Sequence, residues 1–239
     1  MEDSLKFNTK EKLKISLFYT LRKLGGNKLP EKIKKPIGDL IISEKGKKDT
    51  NLLREKRHDL LSDFVEKTLD IEGNIVECGV MGGDSIIPMA KRLKKLKSNK
   101  KIFGVDYFDE IPYDDNTFPY DEKKKYTLAK GTQIPSLQDV QKKLDLLGLD
   151  NVILKKGLVE DVLPTLDREK FCLVNVDVNS YKATKFCTSF FKERLSSKGI
   201  IFFDDYGEAG WAGATKAIDE EINDELIPLP YVQAYWIKQ

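Results

Sequence analysis

Short, wholly apolar runs alternate with longer amphipathic ones through most of this 239-residue chain. Two of the short runs, Phe171-Cys-Leu-Val-Asn-Val176 and Gly199-Ile-Ile-Phe-Phe203, each end in acids: Asp177 after the first, Asp204-Asp205 after the second. A segment with helical spacing separates them, so the pair predicts a β-α-β unit with its acids on the carboxyl edge of a parallel sheet, the edge where ligands bind. At this level the three carboxylates can hold a metal, act as acids and bases, or simply end strands.

The same alternation predicts the other elements. Residues 9–24 form an amphipathic helix with Leu13, Leu17, Leu21 and Leu24 on one stripe, stopped by Gly25-Gly26. Asp49–Leu69 is a second helix, its apolar side made by Leu52, Leu53, Leu60, Leu61, Phe64 and Leu69. Strands are expected at Asn74–Cys78, Lys101–Val105, Val152–Leu154, Cys172–Val176, Ile200–Phe203 and Tyr231–Ile237. Helices are expected at Asp84–Leu96, Leu137–Leu147, Val159–Leu166, Lys182–Leu195 and Thr215–Asn223. Strands alternating with helices predict an α/β, doubly wound, mostly parallel sheet. A polar, aromatic loop, Tyr107–Gly131, interrupts the alternation and reads either as a lid over a bound ligand or as a disordered excursion.

Composition narrows the class. At 40% hydrophobic and 33% charged residues the chain reads as an ordinary globular protein with a real core. No apolar run has the ~18–20 residues of a membrane span, and lysines interrupt the N-terminal segment where a signal peptide would need an apolar stretch. Three cysteines, Cys78, Cys172 and Cys187, lack zinc-ligand spacing and suit buried thiols in a reducing, cytoplasmic compartment. The net charge of +2 conceals an asymmetry: residues 1–57 hold 16 basic against 8 acidic side chains, and the remainder 25 against 31. The expected organisation is a basic helical extension over residues 1–56 and an α/β domain over 57–239. The extension reads first as a solvated helical arm, and alternatively as a surface for a homo-oligomer or an anionic partner. The acidic face of the domain argues against nucleic acid.

The turn after the first predicted strand carries the next signal. Ile75-Val-Glu77-Cys-Gly79-Val-Met-Gly82-Gly83 has glycines for a sharp turn and a close ligand approach, yet it lacks the spacing of a pyrophosphate loop. Glu77 would repel phosphate and suits a ligand with an ammonium group or hydroxyls. Asp106, closing the second strand, is placed to take a ribose diol.

Glu77-x-Gly79-x-x-Gly82-Gly83, Val105-Asp106-x-Phe108, Asp177-x-x-x-Tyr181, Asp204-Asp205-Tyr206 and the closing Val232-x-x-Tyr235-Trp236 occur in this order. Together they resemble the TylF-like (macrocin O-methyltransferase) family of class I S-adenosylmethionine-dependent methyltransferases, over roughly residues 57–239. The resemblance implies a Rossmann-like sheet whose last strand is antiparallel. It also implies methyl transfer from S-adenosylmethionine to a hydroxyl of a sugar or glycosylated small molecule, assisted by Mg2+. Glu77, Gly79, Gly82 and Gly83 would border the methionine end of the cofactor, Asp106 its ribose, and Lys156-Gly157-Leu158 its adenine. The metal ligands would be Asp177, Asp204 and Asp205. Adjacent side chains of a strict strand point to opposite faces, so the last two can share an ion only if the chain leaves the strand at Asp204.

One departure stands out. The family carries a second acid two residues after the first, a candidate general base, and this chain has Asn179 there, which cannot accept a proton. The only histidine, His58, lies on a predicted helix and suits a surface role. The base is therefore unassigned, with Asp109, Asp114, Tyr126 and a metal-bound hydroxide as candidates. Two competing expectations remain open: a catalytically altered or inactive Rossmann-type nucleotide-binding protein, and an interaction module working through the basic arm.

Overall fold

The computed structural model describes residues 50–109, 134–208, 211–222, 226–229 and 232–239. The helix expected at 9–24, most of the loop Tyr107–Gly131, and with it Asp114 and Tyr126, lie outside them.

Helix α1 (Thr50–Lys67) precedes a β/α alternation. Strand β1 (Asn74–Cys78) leads to α2 (Ile86–Lys95), and β2 (Ile102–Asp106) is next. Helix α3 (Leu137–Leu146) and β3 (Val152–Lys156) follow, then a one-turn helix α4 (Val159–Val162) that tightens into a 3-10 turn, Leu163–Leu166. Strand β4 (Phe171–Val176), α5 (Tyr181–Arg194), β5 (Leu195–Phe203), α6 (Ala212–Ile222), β6 (Ile227–Leu229) and β7 (Gln233–Ile237) complete the order. The expected elements are all present within the described residues, with ends shifted by a few residues. Strand β6 was not expected. The expected domain boundary at 56/57 falls inside α1.

The sheet has seven strands in the order β3-β2-β1-β4-β5-β7-β6. β1 to β5 pair in parallel, and β7 lies antiparallel to both β5 and β6. The chain order reverses between β1 and β4, which makes the carboxyl ends of these two strands the switch point where such sheets bind ligands.

Both faces of the sheet are covered at its centre, so β1, β2, β4 and the end of β5 are mostly apolar rather than alternating. Successive residues then serve opposite cores. Ile75, Leu173, Ile200, Phe202 and Tyr235 pack with α1, α2 and α3, while Val76, Val174, Ile201, Phe203 and Trp236 pack with α5 and α6. Helix α1 is anchored by Phe64, whose ring meets Phe202 and Tyr235 edge-on at centroid distances of 5.2 and 4.8 Å. Seven residues earlier, about 10 Å along the helix axis, the same stripe carries Arg57. The packing of Phe64 thus delivers an arginine to the carboxyl edge of the sheet.

Candidate active site

The α1 side of the sheet ends in a row of polar residues. Glu77 and Asn175 are register partners on β1 and β4, on the same face as Ile75 and Leu173. Asp204, two residues beyond Phe202, and Gln233, two before Tyr235, continue the row across β5 and β7. Glu77, Asn175 and Gln233 are buried, Glu77 completely. Asn175 donates from Nδ2 to Glu77 Oε1 at 2.8 Å. Burial pushes the Glu77 carboxyl up to about 8, against the pull of hydrogen bonds from Ser85 and Asn175, with the charges of Asp204 and Asp106 adding to the rise.

Asp177 follows β4 directly, and β5 ends at Phe203, so residues 204–207 are already a turn. Leaving the strand at Asp204 lets two consecutive acids face one point. One carboxylate oxygen from each of Asp177, Asp204 and Asp205 lies within 4.8 Å of the others. The Asp204 amide donates to the Val176 carbonyl at 3.1 Å, which ties the two strand ends together.

Arg57 lies over this cluster. Its Nη2 donates to the Asp204 carbonyl at 2.8 Å and to Asp204 Oδ2, and stands 3.7 Å from Asp205 Oδ1. Gln233 Nε2 donates to the other Asp204 oxygen, Oδ1. Burial works against the guanidinium charge, but Asp204, Asp205, Asp177 and Glu208 outweigh it and hold its proton more firmly than usual. A single arginine does not balance the acids. Burial raises Asp177 well above the carboxylate range, with Asp204 and Asp205 adding to the rise. Asp205 is pushed up to about 7, by burial first and by Asp204 next, with Arg57 opposing.

At this edge of the sheet four buried side-chain oxygens have no hydrogen-bond partner among the described residues: Glu77 Oε2, Asn175 Oδ1, Asp205 Oδ2 and Gln233 Oε1. Unpaired buried oxygens are costly and ask for a cation or a donor. The first pair, at the ends of β1 and β4, suits an ammonium group. The second pair, with the other aspartates, forms an all-oxygen donor set of the kind Mg2+ prefers over the nitrogen and sulfur sites of zinc.

The glycine turn is built against this edge. Gly79 has φ +95°, and a Cβ there would lie 1.8 Å from the Asp177 carbonyl oxygen, so no side chain fits between the turn and the acid cluster. Gly83 is also in the left-handed region, at φ +87°, while a Cβ at Gly82 would make only ordinary contacts, the nearest at 3.8 Å, and the Gly82 carbonyl accepts from Lys143. Asp106 ties the turn down: Oδ2 accepts from the amides of Val80 and Met81, each at 2.7 Å, and Oδ1 from the Phe108 amide at 2.8 Å. Its backbone carbonyl accepts from the Gly157 amide at 2.9 Å, bringing Gly157-Leu158 to the same edge. Asp109 is exposed and ion-paired with Lys156 at 3.4 Å. Asn179 sits between β4 and α5 at φ +60°, where the Ser180 amide donates to the Val178 carbonyl at 2.6 Å. Ser180 then caps α5 by accepting from the Ala183 amide. The left-handed turn is a backbone reason for asparagine, one of the few residues with a side chain that adopt it readily.

Three participants escaped the sequence reading: Arg57, Gln233 and Asn175. Each had a faint signal. Arg57 falls on the stripe of Leu60, Leu61 and Phe64, where an apolar residue would be expected, and Asn175 and Gln233 interrupt or open buried strands.

A glycine turn, an acid closing β2 and a parallel sheet closed by an antiparallel strand define a class I methyltransferase. The family model for macrocin O-methyltransferase (TylF) matches residues 46–238, and the chain belongs to that family. It is an S-adenosylmethionine-dependent O-methyltransferase. Mycinamicin III 3''-O-methyltransferase of Micromonospora griseorubida is 28% identical over 191 residues, covering 76% of this chain and 75% of that protein. Among solved structures, the O-methyltransferase NovP matches with a TM-score of 0.70 and 23% identity, over 77% of this chain and 80% of that one. The calicheamicin methyltransferase CalS11 matches with a TM-score of 0.62 and 18% identity, over 98% and 94%. At these identities the structures speak for the fold. Among the described residues no helix is long and apolar enough to cross a membrane.

Proposed function

We propose that this enzyme methylates a hydroxyl of a sugar or glycosylated small molecule, with Mg2+ held by Asp177, Asp204 and Asp205. The observation that carries the proposal is the convergence of three aspartates from two neighbouring strand ends beside a glycine turn fit for the methyl donor. A family relative acts, by its name, on the 3'' position of mycinamicin III, which supports a glycoside acceptor. S-adenosylmethionine supplies the electrophilic methyl group, and Mg2+ supplies a Lewis acid that lowers the pKa of a bound hydroxyl.

The chain's own residues then bind and position. Glu77, with Asn175 beside it, takes the cofactor's ammonium, and the backbone at Gly79, Gly82 and Gly83 lines the methionine end. Asp106 keeps the turn closed and offers the remaining acceptor site of Oδ1 to the ribose diol, and Gly157-Leu158 borders the adenine. The three aspartates fix the acceptor hydroxyl relative to the methyl group, and such positioning can supply several kcal/mol of the barrier. Asn179 holds the turn into α5 and takes no proton. Three unpaired, buried cysteines accord with a reducing cytoplasm.

Asp177→Asn and Asp204→Asn should each lower methylation of a glycoside acceptor by at least about 10²-fold, the scale of losing one strong electrostatic contact in the transition state. Binding of S-adenosylhomocysteine, followed by calorimetry, should survive both changes. Turnover that persists in the variants, or in excess EDTA, would rule out the metal-assisted route.

A further inference from the structure

A cation already sits on the proposed metal cluster, and it belongs to the protein. Arg57 Nη2 hydrogen-bonds Asp204 Oδ2 and the Asp204 carbonyl and lies 3.7 Å from Asp205 Oδ1. It therefore contacts two of the three residues that would ligate the ion. The arrangement is built rather than casual. Arg57 is on the buried stripe of α1, its side chain 22% exposed, and it meets acids of only 18% and 8% exposure. Phe64 of the same helix is packed against Phe202 of the strand that leads into Asp204. A surface lysine would swing away at no cost, whereas this guanidinium is held by a helix packed on the sheet.

Two like charges cannot share these oxygens. Mg2+ takes its carboxylate oxygens at about 2.0–2.1 Å, and a guanidinium nitrogen bonded to the same carboxylate would face it across a few ångströms of poorly screened space. Gln233 already donates to the remaining oxygen of Asp204, so that carboxylate has no unengaged oxygen to offer.

We propose that Arg57 is an intrinsic competitor for the metal site: it neutralises the aspartates in the metal-free enzyme and must withdraw from Asp204 and Asp205 before a divalent ion binds. The inference rests on the metal site proposed above. Its consequence is that the seating of α1 is coupled to metal occupancy: whatever draws Arg57 away raises metal affinity, and the metal in turn favours the withdrawn arginine.

The test uses Mn2+ as the probe, titrated into the full-length protein at pH 8 and read by electron paramagnetic resonance of free Mn2+. Arg57→Gln should bind Mn2+ about 10- to 100-fold tighter than wild type, the size of an ordinary coupling between two sites. Arg57→Lys, which keeps the charge but loses the fork, should fall between. Without metal, Arg57→Gln should melt at a lower temperature than wild type, and saturating Mn2+ should raise its melting temperature by more than it raises that of wild type. An arginine with a purely structural role would lower the melting temperature without tightening Mn2+. If wild type binds Mn2+ and Arg57→Gln binds it equally or more weakly, the competition is refuted while the metal site stands. If neither protein binds Mn2+, the metal site itself is refuted, and the competition with it.

Discussion

Replacing Glu77 by glutamine isolates a completely buried carboxyl group. The carboxyl is raised from 4.5 to about 8, with burial the main cause. At about 1.4 kcal/mol per unit, that shift corresponds to roughly 5 kcal/mol against the ionised form. In the unfolded chain Glu77 ionises above pH 4.5, whereas in the folded chain it keeps its proton until about pH 8. Its contribution to stability is thus fully present below pH 4.5 and is lost, by about 1.4 kcal/mol per pH unit, as the pH rises to about 8. By pH 7 roughly 3 kcal/mol has gone. Glutamine keeps an acceptor for Asn175 and does not titrate. Urea unfolding of both proteins at pH 5, 6, 7 and 8, without cofactor or metal, should therefore show the variant gaining on wild type by about 1.4 kcal/mol per unit. A difference that stays flat across this range would refute the burial argument. A second arm tests the proposed ammonium contact. At pH 7 a group titrating near 8 is about nine-tenths protonated, so pairing it with the cofactor's ammonium should expel nearly one proton. Calorimetry of S-adenosylmethionine binding in phosphate and in Tris would detect that release through the buffers' different ionisation heats, and the glutamine variant should release none. Equal proton release from both proteins would remove Glu77 from the ammonium site.

Two backbone predictions follow from the turns at the edge of the sheet. Asn179→Ala should cost about 1–2 kcal/mol in chemical denaturation, the ordinary cost of a left-handed residue with a Cβ, while Asn179→Gly should cost less; equal losses would mean the asparagine side chain, and not φ, is what matters. Gly79→Ala would drive a Cβ to within 1.8 Å of the Asp177 carbonyl, so the turn must shift and carry Asp177 with it. Loss of both S-adenosylhomocysteine binding and Mn2+ binding is expected, and normal affinity for both would show that the two sites do not share this contact.

The fold was readable because the central strands β1, β2 and β4 and the end of β5 are buried on both faces and therefore read as mostly apolar runs between helical stripes. The acids at the ends of β4 and β5 were readable for the same reason, since they stop those runs abruptly. Strand β6 was not, because Pro228 within Leu226-Ile-Pro-Leu-Pro230 argues against a strand. The structure resolves the conflict by placing it at the sheet edge, where proline costs one hydrogen bond to solvent rather than a ladder bond. Arg57 and Gln233 were missed for a different reason. Their partner Asp204 lies 147 and 29 residues away, and no local period encodes such a contact. The glycine turn was legible, whereas the anchoring of that turn by Asp106 was not, because a carboxylate reaching back to two amides leaves no spacing signature.

The antiparallel closing strand also bears on how the molecule is assembled. β5 pairs with β4 on one side and with β7 on the other, and β7 also supplies Gln233 to Asp204. Synthesis proceeds from the N-terminus, so the neighbouring β-α-β units can pair before β7 is available. During that interval Ile200–Phe203 is an unpaired apolar edge, the kind that recruits foreign strands. It ends in acids that Gln233 has not yet reached. Docking of the last strand thus closes the sticky edge and completes the polar shell of the site in a single step, which ties escape from aggregation to the appearance of a competent enzyme.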